Sequence, residues 1–201
     1  MKFLNQFCWC GTVHDFLKLD CENWLREMEN NYSNVTPYKL TDSQRRAWRN
    51  SFPVLAHSLR ELGADYESLH LVFEYCLPYR TPKQDEEISD THTIRADCVV
   101  VSEKQVVVLE FKDRKQVVKW HAHSARRYRN RLQDLHDASI GKGKWSILVP
   151  TLMTDLQEGV LRRLTACSPD RLADELRKRL GEKPLQVASI SAWCGSTYSR
   201  H

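Results

Sequence analysis

The chain has 201 residues, 41% of them hydrophobic and 28% charged, with a formal net charge of +4. That composition excludes global disorder, and the length suits one domain, or one domain with an appendage, able to bury a core without disulfide staples. The small positive excess permits a polyanionic partner without demanding one, and no apolar run approaches the ~20 residues of a membrane span.

The first residues, MKFLNQFCWCGTVHDF, do not read as a signal peptide, because Asn5, Gln6 and then Asp15 break the apolar run. A cytoplasmic chain is therefore expected. The seven cysteines (Cys8, Cys10, Cys21, Cys76, Cys98, Cys167 and Cys194) are scattered and include no CxxC pair. They read as reduced thiols rather than zinc ligands.

Apolar residues at three- and four-residue spacings predict a helix over 12–31, and residues 1–40 read as an N-terminal helical extension. Thr41 with Gln44 three residues later reads as a capping box opening a helix to about Leu62, kinked at Pro53 and stopped by Gly63. Strands are expected over Ser68–Tyr79, Thr93–Ser102 and Gln105–Phe111. A long helix, basic in its middle, follows in VVKWHAHSARRYRNRLQDLHDAS. A strand over Lys144–Pro150, helices over Asp155–Leu164 and Pro169–Leu180, and a fifth strand over Leu185–Ser191 complete the order. Strands in a meander followed by a helical crossover imply an α/β chain with a mixed sheet flanked by helices.

The hairpin between the second and third strands carries the chemistry. Pairing Ser102 with Gln105 across Glu103-Lys104 puts Val101 opposite Val106 and Asp97 opposite Glu110. Alternation puts Asp97 with Val99 and Val101, and Glu110 with Lys112 and Val108. Facing carboxylates beside valines repel and are desolvated, so something must compensate. A hard divalent cation does so, because it prefers carboxylate oxygens and keeps several waters. Lys112 would then orient a water or stabilise charge growing on a phosphate. Glu74, just before the proline that ends its strand, is a third acid within reach of the same sheet end, its face open. The plain alternative is a half-exposed hairpin with charges on its solvent side. On the basic helix, Lys119, Arg126, Arg127 and Arg131 interleave with Tyr128, which reads either as a phosphate-binding face with a stacking ring or as a solvated face with Tyr128 in the core.

The segment RADCVVVSEKQVVVLEFK resembles the PD-(D/E)xK, restriction-endonuclease-like nucleases, whose pattern is an Asp on one strand and E-x-K at the end of the next. Asp97, Glu110 and Lys112 occupy those positions. FEYCLP, SARRYRNRLQDLH and AWCGSTY extend the similarity, from roughly Thr41 to Tyr198, to the N-terminal nuclease-like region of certain bacterial proteins in which a superfamily 1-type helicase or ATPase domain follows. Ala96 stands where relatives often have Pro, and Ser124 where many have Gln.

The resemblance implies a restriction-endonuclease-like core over 41–201 and hydrolysis of phosphodiester bonds, DNA favoured, in bacterial defence or DNA processing. It implies Mg²⁺ or Mn²⁺ on Asp97, Glu110 and the Phe111 carbonyl, with Glu74 assisting directly or through water. It also implies DNA binding by the basic helix, homodimerisation, and a helicase/ATPase partner or an absent C-terminal motor. Two readings stand beside it: a catalytically silent nucleic-acid-binding or interaction module of the same fold, and an RNase.

Overall fold

The computed structural model describes residues 6–77, 94–112, 127, 128, 130, 132, 136, 146–150, 159–161 and 164–195. Among the described residues the first element is a strand, β1 (Trp9–Thr12), followed by α1 (Val13–Lys18) and α2 (Cys21–Val35). The single helix expected over 12–31 is thus two helices and the end of a strand. Thr12 and Asp15 form a capping box that starts α1, and Asp20 accepts from Asn23 N at 2.8 Å to start α2 afresh. Because β1 pairs with β2 and Trp24, Leu25 and Met28 are buried in the main core, the described part of 1–40 is built into the sheet rather than appended to it.

Helix α3 (Asp42–Leu62) opens at Thr41, whose side chain accepts from Gln44 N at 3.2 Å. It runs on through Pro53, which faces solvent. Water can therefore take the bond that the missing N–H leaves unmade. Gly63 ends the helix at a φ of +90°, a conformation that glycine adopts without steric penalty.

Among the described residues, seven strands form one sheet in the order β1-β2-β3-β4-β5-β7-β6. The added strands are β2 (His70–Leu77), β3 (Ile94–Val101), β4 (Val106–Leu109), β5 (Ser146–Pro150), β6 (Gly159–Leu161) and β7 (Leu164–Cys167). Strands β1 to β4 run antiparallel to their neighbours, β5 joins β4 and β7 in parallel, and β6 returns antiparallel on β7. The mixed α/β class is as expected. The hairpin register is too: Val101 pairs with Val106 and Cys98 with Leu109. It is fixed locally, by Ser102 N donating to Gln105 O at 2.9 Å while the Ser102 hydroxyl bonds the Gln105 backbone.

Two expected elements are different. The described part of Asp155–Leu164 is strand β6 and the first residue of β7, not helix. The stretch Leu185–Ser191 is not a strand: after α4 (Leu172–Leu180) the chain is irregular until Ser189, whose hydroxyl accepts from Ala192 N and caps the short α5 (Ile190–Cys194). Val187 alone of 185–189 is buried, so the alternation that suggested a strand serves one apolar anchor.

The sheet is covered on both faces. On one, α1 to α4 close over Leu71, Phe73, Cys98, Val100, Val107 and Leu109. Phe16, Trp24, Phe52 and Phe73 meet there with ring centroids 4.9–6.0 Å apart, and fully burying each such ring contributes about 2–3 kcal/mol. On the other face, Tyr128, Leu132, Val187 and Trp193 cover Val72, Val99, Val101, Val106 and Val108. Among the described residues no helix is long and apolar enough to cross a membrane, and no disulfide joins the cysteines.

Candidate functional site

The valine halves of β2, β3 and β4 alternate regularly, and the alternation fails at one level. In β2, Leu71 and Phe73 pack under the helices α1 to α4 and Val72 on the opposite face. Tyr75 then joins the face of Val72, and Cys76 returns under the helices. In β3, Cys98 and Val100 lie under the helices, while Ala96 lies with Val99 and Val101 on the other face. Each strand therefore turns over once, β2 at Glu74 and β3 at Asp97. The two turns are opposite one another: the ladder pairs Phe73 with Cys98 and Tyr75 with Ala96, with Glu74 and Asp97 between them.

Among the described residues, Glu74 is the one non-glycine residue with positive φ, +50°, a conformation that costs an L-residue about 1–2 kcal/mol. Asp97 is thus not on the face of Val99 and Val101, as regular alternation predicts. With Glu74 it lines a cavity of about 60 Å³, room for roughly four waters. Gln44, Ala47, Trp48 and Ser51 of α3 form one wall of the cavity, with Phe73 and Phe111 alongside the two acids.

Three donors from two elements, α3 and β3, converge on Glu74. Its Oε1 accepts from Trp48 Nε1 at 2.8 Å and Gln44 Nε2 at 3.1 Å. The Gln44 side chain, expected to reach back to the helix start as half of a capping box, is directed to Glu74 instead. Arg95 Nη1 lies 3.1 Å from Glu74 Oε2, an ion pair made outside hydrogen-bond alignment. The guanidinium also lies 5.0 Å above the centre of the Tyr32 ring. Burial pushes the Glu74 carboxyl up to about 7, with Asp97 adding to the rise and Arg95 and Trp48 opposing it.

Asp97 and Glu110 stand one position beyond Cys98 and Leu109, the last pair of the β3–β4 ladder. Asp97 Oδ2 accepts from Phe111 N at 2.8 Å. Burial raises the Asp97 carboxyl against Lys112, the Phe111 N–H and Arg95. Glu110 Oε1 takes the Lys112 ammonium at 2.5 Å, while its Oε2 is buried with no partner. Burial, then the charge of Asp97, lifts Glu110 to about 8. Burial pulls Lys112 down, but Asp97 and Glu110 outweigh it and its net shift is upward. Among the described residues, three carboxylates thus share two cations, and one carboxylate oxygen has no partner.

Among the described residues, no three Asp, Glu, His or Cys side chains are gathered as a ready ligand set. With the Glu74 oxygens engaged by protein groups, the carboxylates left to hold a cation would be Asp97, which lines the cavity, and Glu110, whose Oε2 is orphaned among the described residues.

Of the expected nucleic-acid contacts, Lys119, Arg126 and Arg131 lie outside the described residues. Arg127 is exposed. Tyr128 is buried in the cluster with Val99 and Trp193, so its ring is core and not a stacking surface for a base. Its hydroxyl is raised by burial and then by the charges of Glu110, Asp97 and Glu74. Arg95, Trp48 and Gln44 were not singled out from sequence. Arg95 had a signal, standing two residues before Asp97 on a strand. The α3 residues had none, because only the tertiary fold brings them to Glu74.

The fold and site define a mixed α/β protein with an acid cluster at one end of its antiparallel strands. No protein-family profile and no curated protein matches the chain. A crystal structure of protein VC1899 from Vibrio cholerae is similar at a TM-score of 0.40 and 10% identity, over 81% of this chain and 47% of that one. The chain therefore spans under half the length of that relative, and a likeness at this level sets neither fold family nor function.

Proposed function

We propose that the chain is a divalent-cation-dependent nuclease that hydrolyses phosphodiester bonds, with DNA the favoured substrate. The observation that carries the reading is the buried Glu110 Oε2, unpartnered among the described residues, on a carboxyl that feels the charge of Asp97, with the Lys112 ammonium 2.5 Å from the other oxygen. Asp97 and Glu110 would hold Mg²⁺ or Mn²⁺, with the Phe111 carbonyl a further oxygen at the same level. When bound, the cation supplies an activated water and neutralises phosphate charge. Lys112 keeps its proton at Nζ, and that ammonium can hydrogen-bond a non-bridging phosphate oxygen as negative charge grows there. The apolar walls of Trp48, Phe73 and Phe111 limit competing water. The order of a meander β2–β3–β4 followed by a parallel step to β5 supports a restriction-endonuclease-like core. Homodimerisation, a helicase/ATPase partner and a role in bacterial defence or DNA processing belong to the same proposal through the resemblance of the hairpin.

The test is cleavage of labelled DNA and RNA with Mg²⁺ or Mn²⁺. Asp97→Ala and Lys112→Ala, checked for folding by circular dichroism, should each lower the rate roughly a hundredfold or more. Equal cutting by wild type and both variants would sink the reading, and RNA-only cutting would move it to an RNase. A second reading, a catalytically silent nucleic-acid-binding module, is favoured by the lack of a three-ligand set among the described residues and by the closure of Glu110 by Lys112. Salt-dependent DNA binding without cleavage would support it.

A further inference from the structure

Glu74 is the acid that a nuclease reading enrols as a third ligand, and its surroundings argue for a different task. Trp48 and Gln44 hold one carboxylate oxygen, and Arg95 stands against the other. A cation there would have to displace Arg95, whose partner is only 4% exposed. Separating such a buried pair leaves an uncompensated charge and costs about 3–5 kcal/mol.

The backbone at Glu74 points the same way. A strand does not adopt a φ of +50° unless its surroundings enforce it. Regular alternation would send the Glu74 side chain to the face of Val72. The turn-over brings it instead to the α3 wall, where its three partners wait. The opposite strand turns over at the matching residue, so that the pairs on either side stay in register. Arg95, two residues from Asp97 on β3, ties the two events together, because its ion pair crosses from one turned strand to the other. Asp97 is placed in the cavity by that coordinated turn and is then fixed by the Phe111 N–H at 2.8 Å.

We propose that Glu74 is a positioning residue: with Arg95, Trp48 and Gln44 it locks the paired turn of β2 and β3 that carries Asp97 into the cavity, and it does not ligate the cation. The consequence for the cation rests on the nuclease reading, whereas the consequence for Asp97 does not.

Two readouts separate them. The first is the Phe111 amide proton, followed by NMR in chelator, since its shift and exchange report the bond to Asp97 whether or not any metal binds. Glu74→Ala should move the signal upfield and speed its exchange roughly tenfold or more. Glu74→Gln keeps an acceptor for Trp48 and Gln44 and leaves Arg95 in place, and should restore most of it. Glu74→Asn, which tolerates positive φ, serves if the alanine variant does not fold. The second readout is Mn²⁺ binding by calorimetry. The Glu74→Gln protein should bind within about threefold of wild type, and Asp97→Asn at least tenfold more weakly. An unmoved Phe111 signal in both Glu74→Ala and Glu74→Asn would overturn the positioning role. A loss of Mn²⁺ affinity equal to that of Asp97→Asn would overturn the exclusion from the ligand set. Absence of Mn²⁺ binding by wild type would instead overturn the nuclease reading and leave the amide test in force.

Discussion

Strands β2, β3 and β4 are two kinds of structure joined end to end. Toward the hairpin they are a run of fully buried valines in regular alternation: Val72, Val99, Val100, Val101, Val107 and Val108. Toward the other end β2 and β3 carry Glu74 and Asp97 with their alternation inverted, and Glu110 follows the last residue of β4; burial raises Glu74 to about 7 and Glu110 to about 8. The first half is what burial of apolar area dictates, since every side chain gains by leaving water. The second works against it, because desolvation opposes each charge and neighbouring carboxylates repel. The valine half therefore anchors a site that could not hold itself together.

The largest effect expected in the acid half is that of Lys112→Ala. Lys112 and Glu110 have side chains 18% and 6% exposed, so above the folded Glu110 value of about 8 removing the ammonium strands a buried carboxylate and should lower stability by about 3 kcal/mol, measured there by urea unfolding in chelator. A much smaller loss would mean that Glu110 is already neutral in the metal-free protein. In the valine half, Val100→Ala should lower stability by about 2 kcal/mol through the cavity it leaves. It should leave Mn²⁺ affinity within about twofold. A parallel loss of affinity would show that the halves are not separable.

The smallest effect is one of slope. A carboxyl whose folded pKa lies above its ordinary value holds its proton more tightly folded than unfolded. Its contribution to stability is full at acid pH and is lost as pH rises through the folded value. For Glu110 that window runs from 4.5 to about 8. The unfolding midpoint of chelated protein should fall across it, and Glu110→Gln should flatten the fall. A slope unchanged by Glu110→Gln would assign the titration to other groups, Glu74 first among them.

The hairpin register was legible in sequence because a four-residue turn fixes it, and it carries the ladder as far as Cys98 and Leu109, one step short of Asp97 and Glu110. The turn-over at Glu74 and Asp97 was not, because alternation rules assume a strand that never rotates, and the force that rotates this one comes from Arg95 and α3. Strand β1 escaped notice because four residues are too few to show a period of two against the helical spacing that follows. Val187 misled for the converse reason: a single buried anchor between polar neighbours mimics the alternation of a strand. Tyr128 could be read as core or as contact from its helix position, and only burial decided for core.

Gln44 carries a lesson for stabilising this chain. Rules for strengthening helix starts favour glutamate at that position, where it would complete the capping box with Thr41. Here the Gln44 amide nitrogen is 3.1 Å from Glu74 Oε1, so the recommended replacement would set a fourth carboxylate against a site already short of positive charge. Optimising α3 by itself would weaken the structure it holds in place.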